Sequence, residues 1–208
     1  MTATLIPRTA ITGLVLAGGR GQRMGGRDKG LQSFAGRPLS AHVVERLRPQ
    51  VAALLISANR NRDAYAALGA EVVSDETQDF AGPLAGMLAG LRAACTDYVL
   101  TVPCDSPYLP DDLGERLAIS LTCAPGDDTT QPPRLAAYAA TAQGPHPVFA
   151  LLHRSLAEDL AATLAAGEHR VRAWLARHKA VQVHFGDERP FYNINTLDDL
   201  HTDTPRVP

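Results

Sequence analysis

Short apolar runs alternate with helical patterns along the first half of the chain. Runs rich in aliphatic and β-branched residues predict buried strands over 11–16, 51–57, 71–74 and 98–102. Between them, apolar residues that recur every three or four positions predict helices over 39–47, 64–68 and 83–91. This alternation of short strands and helices favours an α/β fold with a mostly parallel sheet and right-handed crossovers.

The second half continues with mixed elements. A helical pattern covers 110–121, and a polar stretch over 123–131 is typical of a mobile loop. The segments 134–141 and 146–151 predict two strands around a turn. Further helices (155–165 and 171–178), a half-exposed strand (181–185) and an extended segment (191–195) complete the prediction. At 208 residues, the chain has the length of one α/β domain with a full core.

Composition narrows the class of protein. The 20 Lys and Arg residues nearly balance the 22 Asp and Glu residues, so charge gives no reason to propose a nucleic acid or a membrane surface as a partner. Cys95, Cys104 and Cys123 are odd in number and far apart, which argues against a disulfide framework or a zinc site. No apolar stretch approaches the roughly 18 residues of a membrane span. We therefore expect a soluble, cytoplasmic protein.

A glycine-rich stretch over 16–31 follows the first predicted strand. Glycines at the carboxyl end of a strand offer backbone N–H groups to anionic oxygens, and four cations lie in the same stretch: Arg20, Arg23, Arg27 and Lys29. The combination suits a nucleoside triphosphate. The stretch lacks the Ser or Thr that follows the lysine of a P-loop, and it lacks the third glycine of a dinucleotide fingerprint. The alternative is a flexible turn with solvated charges.

Two carboxylates follow other predicted strands. Asp75 and Asp105 come after the third and fourth, so with the glycine stretch they should meet at the ligand-binding edge of a parallel sheet. Asp105 is the candidate ligand for Mg²⁺, which prefers few carboxylates plus phosphate oxygens and water, although Asp is also common in turns. Asp75 fits a surface turn as well as a ligand contact. Lys29 and Arg23 are the candidate phosphate clamps.

Other polar and small residues leave alternatives open. Gly82 precedes a helix N-terminus and suits an anion, whereas Gly86 and Gly90 suit close approach of either a backbone or a ligand. The scattered histidines suggest no hydrolase, but His146 stands at a strand start that faces the crevice in one arrangement. Asn193 and Asn195 point the same way on an extended segment, with Ile194 directed into the core. Their amides suit either a polar heterocycle or turn and cap chemistry.

The glycine-rich stretch carries a resemblance to a known family. Leu16-Ala17-Gly18-Gly19, followed by Arg23-Met24-Gly25-Gly26 and Asp28-Lys29-Gly30-Leu31, resembles the signature of nucleotidyltransferases that make molybdenum cofactor dinucleotides. The double glycine before Asp28 is most similar to the molybdenum cofactor guanylyltransferase family. Residues 82–86, 103–107 and 193–196 extend the resemblance over about 11–200.

The resemblance implies a fold and a reaction. The fold is Rossmann-like, a three-layer sandwich of the nucleotide-diphospho-sugar transferase type with helices on both faces of the sheet. Residues 1–208 would form one nucleotidyltransferase domain, whose N-terminal half binds GTP and whose C-terminal half binds molybdopterin. The reaction joins GMP from GTP to molybdenum-bearing molybdopterin, releases pyrophosphate and uses Mg²⁺. Further partners would be molybdoenzyme apoproteins and their chaperones.

The resemblance also implies roles for individual residues. The catalytic residues would be Arg23, Lys29 and Asp105, with Asp105 also holding Mg²⁺. The nucleotide-binding set would be Leu16, Ala17, Gly18, Gly19, Lys29, Ser57, Asn59, Asp75, Gly82 and Asp105. Asn193 and Asn195 would bind the pterin. The family often has an asparagine at the end of the second strand, where this chain has Ser57, and Asn59 follows two positions later.

Three alternatives remain at this stage: a cytidylyltransferase for the same pterin, a sugar-phosphate nucleotidyltransferase, and a protein that carries nucleotide or cofactor without chemistry. The run from Gly25 to Lys29 favours guanylyl transfer.

Overall fold

The computed structural model describes residues 5–17, 28–75, 82–122 and 133–194. The strands are β1 (Ile11–Leu16), β2 (Ser33–Phe34), β3 (Arg37–Pro38), β4 (Ala53–Ser57), β5 (Glu71–Val73), β6 (Tyr98–Pro103), β7 (Ala136–Thr141), β8 (Gly144–His153) and β9 (Val181–His184). The helices are α1 (Leu39–Leu47), α2 (Arg62–Ala66), α3 (Pro83–Ala93), α4 (Leu113–Thr122), α5 (Ala157–Ala165) and α6 (Val171–Arg177).

Within these ranges a seven-stranded sheet has the order β5-β4-β1-β6-β8-β7-β9. The strands β5, β4, β1 and β6 are parallel, β8 is antiparallel to both β6 and β7, and β9 is parallel to β7. Because β8 alone reverses direction in the described sheet, β7 and β9 run the same way as β6. The carboxyl ends of all these strands except β8 therefore lie at one edge.

The side chains of β1 alternate between two cores, one on each face of the sheet. Ile11 and Val15 belong to a core that also contains buried residues of α1 and α4, whereas Leu14 and Leu16 belong to a second core with buried residues of α3, α5 and α6. Successive side chains of a strand point to opposite faces, so a strand buried on both faces reads as a continuous apolar run. The predicted three-layer α/β fold is confirmed.

Two glycines of α3 bring that helix close to the sheet. A Cβ atom at Gly90 would lie 2.2 Å from Cδ2 of Leu14, and one at Gly86 would lie 2.8 Å from both Cδ2 of Leu16 and Oγ of Ser57. Of the two uses that the sequence left open for these glycines, the structure shows helix-on-sheet packing.

Several boundaries differ from the prediction. The second large strand begins at Ala53 rather than residue 51, because a 3-10 turn over Arg48–Gln50 extends the preceding helix. The helix α2 begins two residues earlier than expected, and α4 begins three residues later. The small hairpin β2–β3 was not predicted. Its turn places both Ala35 and Gly36 at positive φ, a two-residue geometry suited to tight hairpins.

Some predictions concern residues outside the described ranges. They are the predicted mobile loop over 123–131, the site candidates Gly18, Gly19, Arg23 and Asn195, and the loop arginines Arg20 and Arg27, for which solvated surface charge is the preferred interpretation. In the part of the chain that the structure describes, no helix has both the length and the apolarity to cross a lipid bilayer.

Candidate active site

The side chains of Lys29 and Asp105 meet at the edge where the parallel strands end. Lys29 opens a 3-10 turn over Lys29–Leu31, and Asp105 lies two residues after β6. The Lys29 ammonium group donates a hydrogen bond to Oδ2 of Asp105, and the two side chains are only 23% and 12% exposed. The predicted convergence of the lysine and the carboxylate, 76 positions apart, is confirmed.

The second oxygen of Asp105 distinguishes this site from an ordinary ion pair. Oδ1 of Asp105 is buried and has no hydrogen-bond partner within the described residues. Leaving a buried polar atom unpaired costs about 1–3 kcal/mol, more when it belongs to a charged group, so such atoms mark sites of ligand binding or strain. A carboxylate oxygen in this state fits a hard cation or a donor group of a ligand.

The chemistry of the surroundings limits which metal the site suits. Among the described residues, no group of three or more His, Cys, Asp or Glu side chains is placed to hold a metal ion. A metal at Asp105 would therefore take most of its ligands from substrate and water. Mg²⁺ is commonly bound in this way, through one or two carboxylates and the phosphate oxygens of a nucleotide.

Asp28, next to Lys29 in the chain, faces α2 and the residue that precedes it. The hydroxyl of Tyr65 donates to Oδ1 of Asp28 at 2.5 Å, and the amide of Asn61 donates to Oδ2 at 2.9 Å. Tyr65 is fully buried, and burial raises the pKa of its hydroxyl far above the ordinary range. Neither Tyr65 nor Asn61 is among the site residues predicted from the sequence.

Asn59 and Asp75 form a reciprocal pair at the ends of β4 and β5. The amide of Asn59 donates to Oδ1 of Asp75, and the backbone N–H of Asp75 donates to Oδ1 of Asn59 at 3.1 Å. Ser57 differs: it is 4% exposed, it lies under Gly86, and its carbonyl accepts the backbone N–H of Ala17 at 2.9 Å. Of the two candidates that the sequence left open, Asn59 is the exposed one and contacts Asp75.

Asn193 is brought to the loop that carries Asp105. The hydroxyl of Ser106 donates to Oδ1 of Asn193 at 2.7 Å, and the backbone N–H of Ile194 donates to the carbonyl of Asp105 at 2.9 Å. Ile194 is buried against Phe34, as its predicted inward orientation requires. Residues 193–194 are therefore held against the loop over 105–106 by two hydrogen bonds.

Two further candidates, Leu16 and Gly82, are described by the structure chiefly through their backbone groups. The side chain of Leu16 is buried in the core, and its carbonyl accepts the backbone N–H of Cys104 at 3.1 Å. Gly82 precedes α3 with φ +75, and a Cβ atom there would meet no atom within 4 Å. This open position at a helix N-terminus is compatible with an anion.

His146 lies in an aromatic cluster. Its ring stacks on Phe191 with centroids 4.7 Å apart, Phe149 packs against it edge-on, and its Nε2 atom is 2.9 Å from the hydroxyl of Thr141. Burial lowers the pKa of His146, with a smaller opposing effect from Glu188. These contacts assign His146 a packing role instead of the crevice position considered from the sequence.

Comparisons with known proteins identify relatives of this chain. The sequence profile of the MobA-like NTP transferase domain family matches residues 13–182. A protein from Burkholderia ambifaria, named molybdenum cofactor guanylyltransferase, is 56% identical over 198 residues, which cover 93% of this chain and 95% of that protein. A protein of the same name from Burkholderia vietnamiensis is 54% identical over 204 residues, covering 96% and 97%.

A solved structure shares the fold. The molybdopterin-guanine dinucleotide biosynthesis protein A of Archaeoglobus fulgidus superposes with a TM-score of 0.67 at 23% identity, over 91% of this chain and 95% of that one.

Proposed function

Because the chain belongs to the molybdenum cofactor guanylyltransferase family, among the MobA-like NTP transferase domain proteins, we propose that it transfers GMP from GTP to molybdenum-bearing molybdopterin. The products are the molybdopterin guanine dinucleotide cofactor and pyrophosphate. The observation that carries this proposal is the partly buried pairing of Lys29 with Asp105, which leaves Oδ1 of Asp105 without a partner in the described chain.

In the proposed reaction, a terminal phosphate oxygen of molybdopterin attacks the α-phosphorus of GTP. The new P–O bond forms as the bond between the α-phosphorus and the oxygen that bridges to the β-phosphorus breaks, and pyrophosphate leaves with that electron pair. Negative charge moves toward pyrophosphate, so fixed positive charge near the leaving group lowers the barrier. Lys29 supplies such a charge, and we propose Arg23 as a second clamp.

The metal part of the proposal rests on Asp105. Oδ2 of Asp105 would keep its hydrogen bond from Lys29, and Oδ1 would be the oxygen that binds Mg²⁺. Bound Mg²⁺ supplies charge neutralisation to the phosphate oxygens. The burial of Asp105 strengthens these interactions because water screens them less.

The nucleotide and the pterin are proposed to approach from two sides of Asp105. On the nucleotide side, the Asn59–Asp75 pair, the buried Ser57, Gly82 and the backbone from Leu16 to Gly19 provide the contacts. On the other side, Asn193 and Asn195 offer amides to the pterin. This division assigns GTP to the N-terminal half and molybdopterin to the C-terminal half of a single domain over 1–208.

The direct test measures pyrophosphate release when purified protein meets GTP, Mg²⁺ and molybdenum-bearing molybdopterin. We expect release that requires all three, and product that contains GMP. Absence of pyrophosphate release from an otherwise folded and nucleotide-binding protein would favour the non-enzymatic carrier instead.

A second measurement discriminates among nucleotides. Thermal shifts with GTP and with CTP, each with Mg²⁺, should be larger for GTP. A larger shift with CTP would overturn the guanylyl assignment in favour of a cytidylyltransferase. We further propose molybdoenzyme apoproteins and their chaperones as recipients of the product, and the cytoplasm as the compartment.

A further inference from the structure

Asp28 is engaged by its own chain through both carboxylate oxygens. Tyr65 and Asn61 donate to the two oxygens, at 2.5 and 2.9 Å, and the side chain of Gln32 donates to the Asp28 carbonyl at 3.0 Å. Tyr65 lies in the core between the sheet and the helices α1 and α4, so the Asp28 carboxylate is tied to the buried core of the fold. These three hydrogen bonds fix the positions of the Asp28 side chain and of its carbonyl group.

Gly30 is fixed on the other side of Lys29. A Cβ atom at Gly30 would lie 2.5 Å from the Tyr65 hydroxyl and 3.1 Å from Sγ of Cys104, so only glycine fits beneath these side chains. The hydroxyl of Ser40 in α1 donates to the Gly30 carbonyl at 2.7 Å. The backbone is therefore held immediately before and immediately after Lys29.

A lysine needs such support if its charge is to act at one point. Its ammonium group sits on a flexible four-carbon stem, so the side chain alone does not fix where the charge lies. Holding the backbone leaves fewer positions for the ammonium group, and the contact with Asp105 selects among those that remain. Misplacement of a reacting or stabilising group by about 1 Å can cost roughly 100-fold in rate.

We infer that Tyr65 and Asn61, acting through Asp28, are positioning residues that hold Lys29 where its ammonium group meets the phosphates of the nucleotide beside Asp105. This inference rests on the proposed function. Neither Tyr65 nor Asn61 is assigned a contact with the reacting atoms.

The Tyr65 hydroxyl is favoured in its protonated, donating form. Burial most of all, then the neighbouring Cys104 and Asp28, raises the pKa of this hydroxyl above its ordinary value. Loss of the Tyr65 proton therefore does not interrupt the support of Asp28 near neutral pH.

The first test removes one oxygen atom. Tyr65→Phe deletes only the hydroxyl that reaches Asp28, and we expect kcat for pyrophosphate release to fall about 10- to 100-fold, with a smaller change in the KM for GTP. The matched control is Tyr138→Phe, whose hydroxyl donates to Gln182 at 3.0 Å on the outer strands. Thermal unfolding of both variants identifies any general loss of structure. A Tyr65→Phe variant as active as Tyr138→Phe would overturn the inference.

The second test exchanges donor and acceptor. Asn61→Asp alone places a second carboxylate against that of Asp28. Because the two negative charges repel each other, we expect this variant to lower kcat. Adding Asp28→Asn restores a hydrogen bond with its direction reversed, while the new amide keeps an oxygen for the Tyr65 hydroxyl. We expect this double variant to regain at least about tenfold in kcat over Asn61→Asp, since geometry is what matters. If Asp28 were instead a reacting or metal-binding carboxylate, the double variant would stay inactive, and the inference would fail.

The two failures are distinguishable. Wild-type protein that releases no pyrophosphate from GTP and molybdopterin overturns the proposed function, and the positioning role with it. Active wild-type protein overturns the positioning role alone if its Tyr65→Phe variant is as active as Tyr138→Phe and its Asn61→Asp variant keeps wild-type activity.

Discussion

The hydroxyl of Ser106 donates a hydrogen bond to the side-chain oxygen of Asn193, 87 positions further along the chain. Ser106 is fully buried and is the neighbour of Asp105, whereas Asn193 is exposed. The bond joins the residue proposed to hold the metal and phosphates to the segment proposed to hold the pterin. It also orients the Asn193 amide by engaging its oxygen as the acceptor.

Removing this hydroxyl should therefore affect one substrate more than the other. For Ser106→Ala we expect the KM for molybdopterin to rise about five- to tenfold, which corresponds to the loss of about 1 kcal/mol for one hydrogen bond, with the KM for GTP unchanged. Steady-state kinetics with each substrate varied in turn measure both. Ser120→Ala is the control, since its hydroxyl donates to the Leu117 carbonyl within α4. Equal KM values for molybdopterin in the two variants would contradict this prediction.

Asp105→Asn should separate catalysis from stability. The substitution keeps the shape but removes the charge, so we expect kcat to fall at least about 100-fold. The free energy of unfolding should change by less than about 1 kcal/mol, because the removal of a partly desolvated carboxylate with one unpaired oxygen offsets the loss of the charge that pairs with Lys29. Denaturant titration and pyrophosphate release measure the two effects.

The control for this change is Asp111→Asn, which removes a carboxylate that pairs with Arg46 at the surface. It should leave kcat unchanged. Full activity in Asp105→Asn would remove Asp105 from the catalytic set.

The Asn59–Asp75 pair predicts a graded response to substitution. Asn59→Ala leaves Asp75 without its amide partner, and we expect the KM for GTP to rise about three- to tenfold. Asn59→Asp should be worse, because it places a second carboxylate against the first. Isothermal titration with GTP and Mg²⁺ gives the order directly. Unchanged affinity for GTP in both variants would favour Ser57 over Asn59 as the residue that contacts the nucleotide.

Gly90 should be intolerant of even one methyl group. In Gly90→Ala, the new carbon would overlap the Leu14 side chain in a fully packed core, so we expect a loss of about 1–2 kcal/mol in the free energy of unfolding after the better helix propensity of alanine is included. Gly186→Ala is the matched control, since a Cβ atom there meets open space. Chemical denaturation of both variants tests this. Equal stability would show that Leu14 can move aside.

Asp159 should make the protein less stable in acid. Burial opposes its ionisation, but hydrogen bonds from Trp174 (2.8 Å) and His178 (2.6 Å), together with the charges of His178 and Arg177, outweigh it and lower the pKa of Asp159. A carboxyl with a lowered folded-state pKa stabilises the fold above its unfolded-state value and loses that contribution as pH falls through the folded-state value. The free energy of unfolding should therefore decrease below about pH 4, by less than about 1 kcal/mol because the carboxylate is half exposed.

The fluorescence of Trp174 should report the protonation of Asp159, because Trp174 is the single tryptophan of the chain and donates a hydrogen bond to Asp159. Its emission in the folded protein should titrate with Asp159. The Asp159→Asn variant should lose the titration and part of the acid sensitivity. An identical acid profile in the variant would assign the sensitivity to other carboxyls.

The parts of the site that follow from strand direction could be predicted from the sequence. Lys29 and Asp105 meet because each follows a strand and parallel strands end at one edge. Ile194 points inward because side chains alternate along an extended segment. Both predictions depend only on periodicity and topology, which the apolar pattern specifies.

The missed parts depend on the exact placement of one element against another. Tyr65 and Asp28 are 37 positions apart, and their contact follows from the tilt and start of α2, which periodicity does not give. The choice between Ser57 and Asn59 depends on where β4 ends and on which face each side chain takes. The hairpin β2–β3 has strands of only two residues, and its turn holds Ala35 in a conformation that alanine seldom adopts.

The reversed strand β8 of the described seven-stranded sheet has a consequence for how the protein is made. The reversal lets β7 and β9 be added to the sheet so that the chain returns to Asp105 and Asn193 can dock there. The four parallel strands β1, β4, β5 and β6 are synthesised first. The side proposed to bind the pterin is completed only when residues near 194 have been synthesised. Since contacts between distant residues form slowly, we expect nucleotide binding to precede transferase competence during synthesis and refolding.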